Sequence, residues 1–310
     1  MALVACSAQP SASSGLPTTQ STPSPWSCRL PVIEGSRGQG SGPQTAGYLN
    51  LPGSSFSPAA GAGDGIFYDR PLARWVPDGP PALSADGLRY AYVEGDTKSS
   101  RVHVVDLRTN SDVVVAGGGP WKIVGSQPDA VYIEKIEYQP PSQAYGVLAV
   151  SRGLWKVPLG GGAPEQVTSV SREWVVAKGA AWGGTFDIAG GPSDIVQLDL
   201  NTKQLTTWFA PGARSRLLAV DANGVPLILT EPGDEQLWRV PAPNAGVKVW
   251  SAGTNEMRPD YPVAVDVGAV WFSSSSMTRS WAIYRFSTDR GLEQVAMFSD
   301  HPVAVAGPCA

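Results

Sequence analysis

The segment Leu154-Trp-Lys-Val-Pro158 returns almost unchanged as Leu237-Trp-Arg-Val-Pro241, 83 residues further along the chain. Both copies belong to a strand-like type of segment, rich in β-branched and aromatic residues, that occurs five times. The five segments start at positions 101, 153, 194, 236 and 281, which are 52, 41, 42 and 45 residues apart. The two near-identical copies therefore lie two repeats apart.

A second type of strand-like segment precedes each of these and keeps a similar spacing. Its five copies start at positions 87, 129, 179, 224 and 268, separated by 42, 50, 45 and 44 residues. An inner and an outer strand complete each unit, so about four strands fill about 45 residues. Such a period predicts the blades of a β-propeller, an all-β fold built of four-stranded antiparallel sheets.

Five such units are readable between residues 81 and 299, and the two ends of the chain offer a sixth. Residues 302–306 resemble an inner strand, and residues 47–50, 65–68 and 74–76 supply segments that could join it. We therefore predict a six-bladed propeller whose ring is closed by N- and C-terminal strands in one shared blade. Closure of this kind removes exposed sheet edges, which otherwise invite aggregation.

Two cysteines lie at opposite ends of the folded part, Cys28 and Cys309. If both ends share a blade, the two sulfur atoms become neighbours and we expect a disulfide; the alternative is two free thiols. A bridge closing 281 residues would stabilise the fold by roughly 5 kcal/mol in the chain-entropy model. Persistent disulfides need an oxidising compartment, which agrees with an exported protein.

The third cysteine ends the segment Leu3-Val-Ala-Cys6, which resembles a bacterial lipobox, where the cysteine carries the lipid. The charged and apolar segments of a full signal peptide do not precede it, so a chance match is the alternative. Residues 7–25 contain Ser, Thr, Pro and almost no large apolar side chain, which predicts a disordered tether. We expect residues 1–25 to be a lipobox remnant and tether, and residues 26–310 to be the propeller.

One repeat resembles a known family. Pro81-Ala-Leu-Ser-Ala-Asp-Gly-Leu-Arg-Tyr-Ala-Tyr-Val93, followed by Val102-His-Val-Val-Asp-Leu107, resembles the repeat of TolB-like propellers, although Ala85 stands where that repeat has proline. The resemblance implies six blades and an exported, cell-envelope location. Together with the lipobox-like segment, it leads us to expect a lipoprotein anchored to the outer face of the bacterial cytoplasmic membrane or otherwise in the cell envelope. It implies no particular function, because such propellers serve as scaffolds, receptors and enzymes.

The composition excludes several classes of function. The net charge is −4 and no basic cluster occurs, so we expect no nucleic-acid partner. With only two histidines in the chain, we expect neither a metal site nor a cofactor. No run of about 18 apolar residues occurs, so a lipid on Cys6 would be the only contact with a membrane. We expect a monomer.

The densest polar and aromatic segment between strands begins at Tyr68, and propeller loops of this kind lie at the faces where ligands bind. The candidate ligand-face residues are Tyr68, Asp69, Arg70, Arg74, Trp75 and, just before the last inner strand, His301. The alternative is a salt-bridged structural hairpin. The other histidine, His103, lies mid-strand among apolar residues, where we expect it to face solvent.

No nucleophile motif, phosphate-binding loop or calcium loop occurs in the sequence, so no catalytic residue is predicted. We therefore expect a cell-surface or periplasm-facing module that binds an unknown protein or glycan, or acts as a scaffold. The alternative is a lyase, lactonase or glycan-active hydrolase with its site in the central funnel. The inner strands are mostly apolar, which favours binding over catalysis.

Overall fold

The computed structural model describes residues 27–35, 44–63, 65–71, 73–77, 79, 82–84, 86–95, 99–139, 148–159, 162–185, 193–231, 235–252, 258–275, 280–299 and 301–310. Within these ranges every regular element of more than one residue is a β-strand. The described residues include no helix long and apolar enough to cross a membrane.

The first eight strands lie in the N-terminal part of the chain. They are β1 (Cys28–Glu34), β2 (Thr45–Leu51), β3 (Ser55–Pro58), β4 (Phe67–Asp69), β5 (Arg74–Val76), β6 (Arg89–Gly95), β7 (Ser100–Asp106) and β8 (Ser111–Gly119). The next eight strands follow at a regular spacing. They are β9 (Trp121–Gln127), β10 (Ala130–Gln139), β11 (Leu148–Pro158), β12 (Glu165–Thr168), β13 (Glu173–Ala177), β14 (Ala180–Gly184), β15 (Ile195–Asp199) and β16 (Leu205–Phe209).

The last nine strands continue the same pattern to the C-terminus. They are β17 (Arg214–Val220), β18 (Pro226–Glu231), β19 (Gln236–Arg239), β20 (Val247–Ser251), β21 (Asp260–Val265), β22 (Val270–Ser275), β23 (Trp281–Ser287), β24 (Gly291–Phe298) and β25 (Val303–Val305).

These strands form antiparallel sheets, as the repeat predicts. Four sheets each contain four consecutive strands, β9–β12, β13–β16, β17–β20 and β21–β24. A fifth four-stranded sheet has the order β25-β1-β2-β3, so strands from both ends of the chain pair in it. Strands β6, β7 and β8 form a three-stranded sheet, beside which Leu83 makes an isolated bridge to Tyr90. The prediction of an all-β fold with four-stranded antiparallel sheets is confirmed.

The sheet shared by the two ends differs in detail from the prediction. Only residues 47–50 of the three expected N-terminal segments lie in it, while residues 67–69 and 74–76 form a separate hairpin, β4–β5. Strand β1, which the sequence reasoning missed, pairs with β2 on one side and β25 on the other. Pro31 lies at its centre. Because proline cannot donate a ladder hydrogen bond, its presence argues against predicting a strand that is paired on both sides.

The core lies between neighbouring sheets, because alternate residues of each strand point toward the adjacent sheet. Trp174, Trp182 and Trp271 are fully buried there and pack between sheets. Each of the five apolar clusters combines residues from at least two sheets. Large aromatic rings between sheets bury the most apolar area, which is why this fold is rich in tryptophan.

Candidate functional site

The loop predicted to face a ligand is the tight hairpin β4–β5. Tyr68 pairs directly with Trp75 across it, and Asp69 pairs with Arg74. The rings of Tyr68 and Trp75 lie edge to face with 5.6 Å between their centroids. Tyr48 of β2 completes a three-ring cluster, at 5.6 Å from Tyr68 and 5.9 Å from Trp75. The aromatic groups of this hairpin therefore pack against one another and against the neighbouring sheet.

The hairpin lies against three other parts of the chain. Arg70 Nη1 lies 2.7 Å from Asp266 Oδ1 and donates to the carbonyl oxygen of Cys309 at 3.3 Å. The backbone N–H of Tyr68 donates to the carbonyl oxygen of Ala306 at 2.6 Å. Gly87 has a positive φ of 67°, and a Cβ there would lie 2.5 Å from a Pro71 ring carbon. The hairpin thus joins the C-terminal segment to the turns that carry Asp266 and Gly87.

The disulfide expected from the sequence joins Cys28 and Cys309 beside this hairpin. We use the name closure region for the hairpin β4–β5, residues 306–310 and this disulfide. The lipidation candidate, Cys6, lies outside the described residues.

The structure brings five of the six predicted ligand-face residues together on the hairpin. His301 lies on a different element, where its Nε2 atom is 2.9 Å from Glu34 Oε1. Asp69 is only 1% exposed, and Arg70 already pairs within the protein. These contacts are those of the structural hairpin that the sequence left as an alternative, and a ligand at this loop stays a prediction.

A cavity of about 900 Å³ lies elsewhere, between the sheets β6–β8, β9–β12 and β13–β16. Its size is that of a pocket for a small ligand or for a few side chains. Its lining mixes aromatic, charged and aliphatic groups. The lining residues are Pro77, Ala82, Tyr90, Tyr92, Val93, Trp121, Lys122, Ile123, Glu134, Ile136, Tyr138, Ser151 and Glu173.

Two inner strands set one boundary of this cavity. Gly125 of β9 lies so close to β13 that a Cβ there would be 2.5 Å from the Cβ of Val176. Glycine is required at this point because any side chain would force the two strands apart. The cavity is lined by the preceding part of each strand, residues 121–123 and Glu173.

Glu134 of β10 is the most unusual group in the cavity, because it is a carboxyl that is only 1% exposed. The backbone N–H of Trp174 donates to its Oε1 atom. Its Oε2 atom lies 3.9 Å from Lys122 Nζ, which is beyond hydrogen-bond distance. Burial raises the pKa of Glu134 to about 7, and Lys122 and the Trp174 hydrogen bond only partly oppose this.

The strands hold Glu134 in place through two irregularities. It pairs with Lys122 of β9 on one side and with Leu154 of β11 on the other. The register of β10 shifts just before Ile133 against β9, and again between Glu134 and Ile136 against β11. Irregularities of this kind re-aim a side chain, and they are over-represented beside functional sites.

A cluster of polar side chains adjoins the cavity through Tyr92. The Tyr92 hydroxyl donates to Asp112 Oδ2 at 2.6 Å, and His103 Nδ1 lies 2.9 Å from Asp112 Oδ1. His103 Nε2 lies 3.3 Å from Glu94 Oε2. The hydrogen bond to Asp112 raises the pKa of Tyr92 to about 12 and lowers that of Asp112. The expectation that His103 faces solvent was wrong, since it is 9% exposed and held by these neighbours.

A larger group of charges around β17, β18 and β21 is paired internally. Arg216 lies 3.3 Å from Glu231 and 3.0 Å from Asp260. Arg258 lies 2.6 Å from Glu235 and 3.1 Å from Glu231. Each carboxylate has a guanidinium partner, which is the arrangement of a structural network. No group of three or more acidic, histidine or cysteine side chains that could hold a metal occurs in the described part of the chain.

Sequence reasoning missed the cavity although one signal was available. Glu134 interrupts the apolar run Val131-Tyr-Ile133, and Lys122 interrupts the inner strand that begins at Trp121. A charged residue in a strand buried on both faces is rare unless it is paired. Only the pairing of β9 with β10 shows that these two interruptions face each other.

The sequence matches no protein-family model, and no curated protein matches it. Among solved structures, TolB from Acinetobacter baumannii is similar with a TM-score of 0.52 at 14% identity, covering 90% of this chain and 67% of that one. A putative TolB from Agrobacterium tumefaciens has a TM-score of 0.49 at 14% identity, covering 91% of this chain and 94% of that one. A prolyl endopeptidase has a TM-score of 0.45 at 12% identity, covering 89% of this chain and 50% of that one.

The similarity to the first of these structures shows that the chain has a TolB-like β-propeller fold. At such low identity the similarity shows the fold alone, because one fold serves many functions.

Proposed function

We propose that this protein is an exported binding module of the cell envelope that takes a segment of a partner protein into the cavity containing Glu134. The observation that carries this proposal is the cavity of about 900 Å³ with aromatic walls and a buried carboxyl whose pKa is raised to about 7. Pockets with a few convergent polar groups and a perturbed pKa are the first place to expect binding. A glycan is the other partner that the composition allows.

The architecture that presents this cavity is a closed ring of six blades. The shared apolar clusters support this arrangement, because they link each sheet with the next. One cluster contains residues of the sheet β21–β24, of the sheet shared by the two chain ends (β25-β1-β2-β3) and of the sheet β6–β8. In the three-stranded sheet β6–β8, the bridge from Leu83 to β6 would take the place of the inner strand of that blade. The pairing of β1 with β25 would then close the ring.

The Cys28–Cys309 disulfide supports a location outside the reducing cytoplasm. The lipobox-like segment ending at Cys6 supports a lipid anchor, with residues 7–25 as a tether and residues 26–310 as the propeller. The protein would act as a monomer that contacts the membrane only through its lipid and does not bind nucleic acid.

The test is recovery of a partner by a protein whose cavity is open or blocked. The full chain is immobilised and incubated with solubilised envelope of the source organism, and the retained proteins are cross-linked and identified by mass spectrometry. Pro77 is exposed and lines the cavity, so P77W adds a large neutral ring to the cavity wall. P243W is the matched control, because Pro243 is equally exposed in a turn that does not line the cavity.

We expect one specific partner to be retained by the wild type and P243W, and at least fivefold less of it by P77W. Equal recovery by all three proteins would place the binding surface elsewhere and contradict the proposal. Recovery of no specific protein by the wild type would also contradict it. Release of the retained material by a glycan digest would favour a glycan partner instead.

A second candidate function is catalysis in the same cavity, favoured by the pKa of Glu134 near 7. A carboxyl tuned to neutral pH suits a general acid or base. The experiment is a screen of the full chain against lactones, uronic-acid glycans and aryl glycosides between pH 5 and 9. Turnover that disappears in E134Q and persists in P243W would establish this function, and no turnover above the E134Q background would exclude it for these substrates.

A further inference from the structure

The charges that face the cavity do not balance. Among the described residues that line it, Glu134 and Glu173 are the two carboxylates and Lys122 is the one cation. The Lys122 side chain is 56% exposed and its Nζ atom stays 3.9 Å from Glu134. A solvated ammonium at that distance compensates only part of the charge of a buried carboxylate. The cavity therefore retains negative charge when Glu134 ionises.

The backbone brings these two carboxylates into one site. The N–H of Trp174 donates to Glu134, and Glu173 is the residue directly before Trp174. The charge of Glu173 adds to the rise in the pKa of Glu134, which is caused mainly by burial. A cation between them would relieve this repulsion. In the free protein, burial and the charge of Glu173 together favour the protonated form of Glu134.

Aromatic rings form much of the remaining wall. Tyr90, Trp121 and Tyr138 line the cavity, and Tyr138 is exposed to solvent. Trp121 is held edge to face by Trp155, with 5.7 Å between ring centroids. A ring fixed in this way can receive a cation on its face, and such contacts are strongest where water is partly excluded.

We propose that the cavity binds the ammonium or guanidinium group of a basic side chain of the partner, with Glu134 and Glu173 as its anionic contacts. This inference rests on the proposed function and names the chemistry of the segment that enters. A neutral sugar would leave the ionised Glu134 without a counter-charge, so the cavity favours a cationic group over a glycan. An acidic segment would add repulsion from both carboxylates.

Binding of a cation requires Glu134 in its ionised form, which predicts a dependence on pH. The charged and titratable groups that face Glu134 are Lys122 from β9 and Glu173 from β13, with Tyr92 of β6 on the cavity wall and bonded to Asp112. With the pKa of Glu134 near 7, the ionised fraction rises about tenfold between pH 6 and pH 8. A lysine ammonium stays charged throughout this range, so the change reports on the site.

The experiment is isothermal titration calorimetry of the full chain with short blocked peptides. One probe is acetyl-Gly-Ala-Lys-Ala-Gly-amide, a second has arginine in place of lysine, and a third has norleucine, which keeps the length but not the charge. We expect the lysine or arginine peptide to bind at least tenfold more tightly than the norleucine peptide at pH 8, and about tenfold less tightly at pH 6 than at pH 8. Butylammonium chloride is a further arm, and binding of it alone would indicate a small amine rather than a peptide and would contradict the proposal.

Three variants sharpen the result. E134Q keeps an oxygen that can accept from the Trp174 N–H, so it should remove the pH dependence while the fold is retained. E173Q changes an exposed residue and should weaken binding of the charged peptides at both pH values. E165Q is the matched control, because Glu165 is exposed at the start of β12 and does not line the cavity.

Failure of this inference can be told apart from failure of the proposed function. If P77W no longer retains the partner but E134Q and E173Q still do, the cavity remains the binding site and its proposed preference for a cation is contradicted. Equal affinity for the lysine and norleucine peptides would overturn it as well. If no partner protein is found, the proposed function fails whatever the peptides do.

Discussion

The closure region and the cavity differ in how the charges of Arg70 and Glu134 are compensated. In the closure region, Arg70 contacts both Asp266 and the carbonyl of Cys309, and Tyr68 bonds to Ala306. In the cavity, Glu134 is more deeply buried than Arg70 and yet has one hydrogen bond and a distant lysine. The first region is rich in polar residues in the sequence, and the second contains only scattered ones.

This difference shows that the density of polar and aromatic residues in a segment does not by itself indicate a binding site. A group whose hydrogen bonds are complete contributes to stability and offers little to a ligand. A buried charge with incomplete compensation destabilises the free protein. A partner that supplies the missing charge therefore binds with a favourable change in free energy.

The largest effect is expected from removing the disulfide of the closure region. The double substitution C28A/C309A opens a link between residues 281 positions apart. The chain-entropy model then predicts a loss of about 5 kcal/mol in the free energy of unfolding, as an upper value. Urea unfolding of the oxidised wild type and the variant measures this loss. Reduced wild type should match the variant, and a variant as stable as the oxidised wild type would contradict a closing role for the bridge.

A second effect separates the cavity from the closure region through pH. Glu134 has an ordinary pKa of 4.5 when unfolded and about 7 when folded. The folded protein therefore binds more protons between these values, and the contribution of Glu134 to the free energy of unfolding falls as pH rises through this window. Above pH 7 the loss is complete, and at 1.4 kcal/mol per pKa unit it reaches about 3 kcal/mol.

The substitution E134Q tests this, because glutamine does not titrate. We expect the variant to be more stable than the wild type by about 3 kcal/mol at pH 8 and equally stable near pH 4.5. Urea unfolding at a series of pH values gives both curves. A constant difference between wild type and variant across this range would show that Glu134 has an ordinary pKa. C28A/C309A is the control, since its loss of stability should not change between these pH values.

Much of the fold could be predicted because the strands of each repeat are recognisable from short local stretches of sequence. Strands β9, β13, β17 and β21 are the inner strands that complete four of the predicted repeats. The sheet shared by the two ends was harder, because β1 contains Pro31 and because its partner β25 lies at the other end of the chain. Pairing at this sequence distance depends on the completed fold rather than on any local pattern.

The candidate site was less predictable for a related reason. Glu134 and Glu173 are 39 positions apart in the sequence, and each looks like an ordinary charged residue of a strand. Their proximity depends on the approach of β13 to β9 and on one inter-strand hydrogen bond to Trp174. Burial, which sets the pKa of Glu134, is a property of three adjoining sheets, and the apolar residues next to Glu134 do not show which sheets these are.

The smallest effect is expected at the polar contacts of the hairpin, where each partner is partly exposed to solvent. R70A removes the pair with Asp266 and the bond to the carbonyl of Cys309, and the Arg70 side chain is 41% exposed. An ion pair of that exposure is screened, so we expect a loss of about 1 kcal/mol or less in the free energy of unfolding. R74A is the matched control, because Arg74 is an exposed arginine of the same hairpin, and this variant should lose less free energy of unfolding.

Neither substitution should change the affinity of the cavity for a basic peptide. A tenfold loss of affinity in R70A would instead place the binding surface at the hairpin that the sequence first suggested.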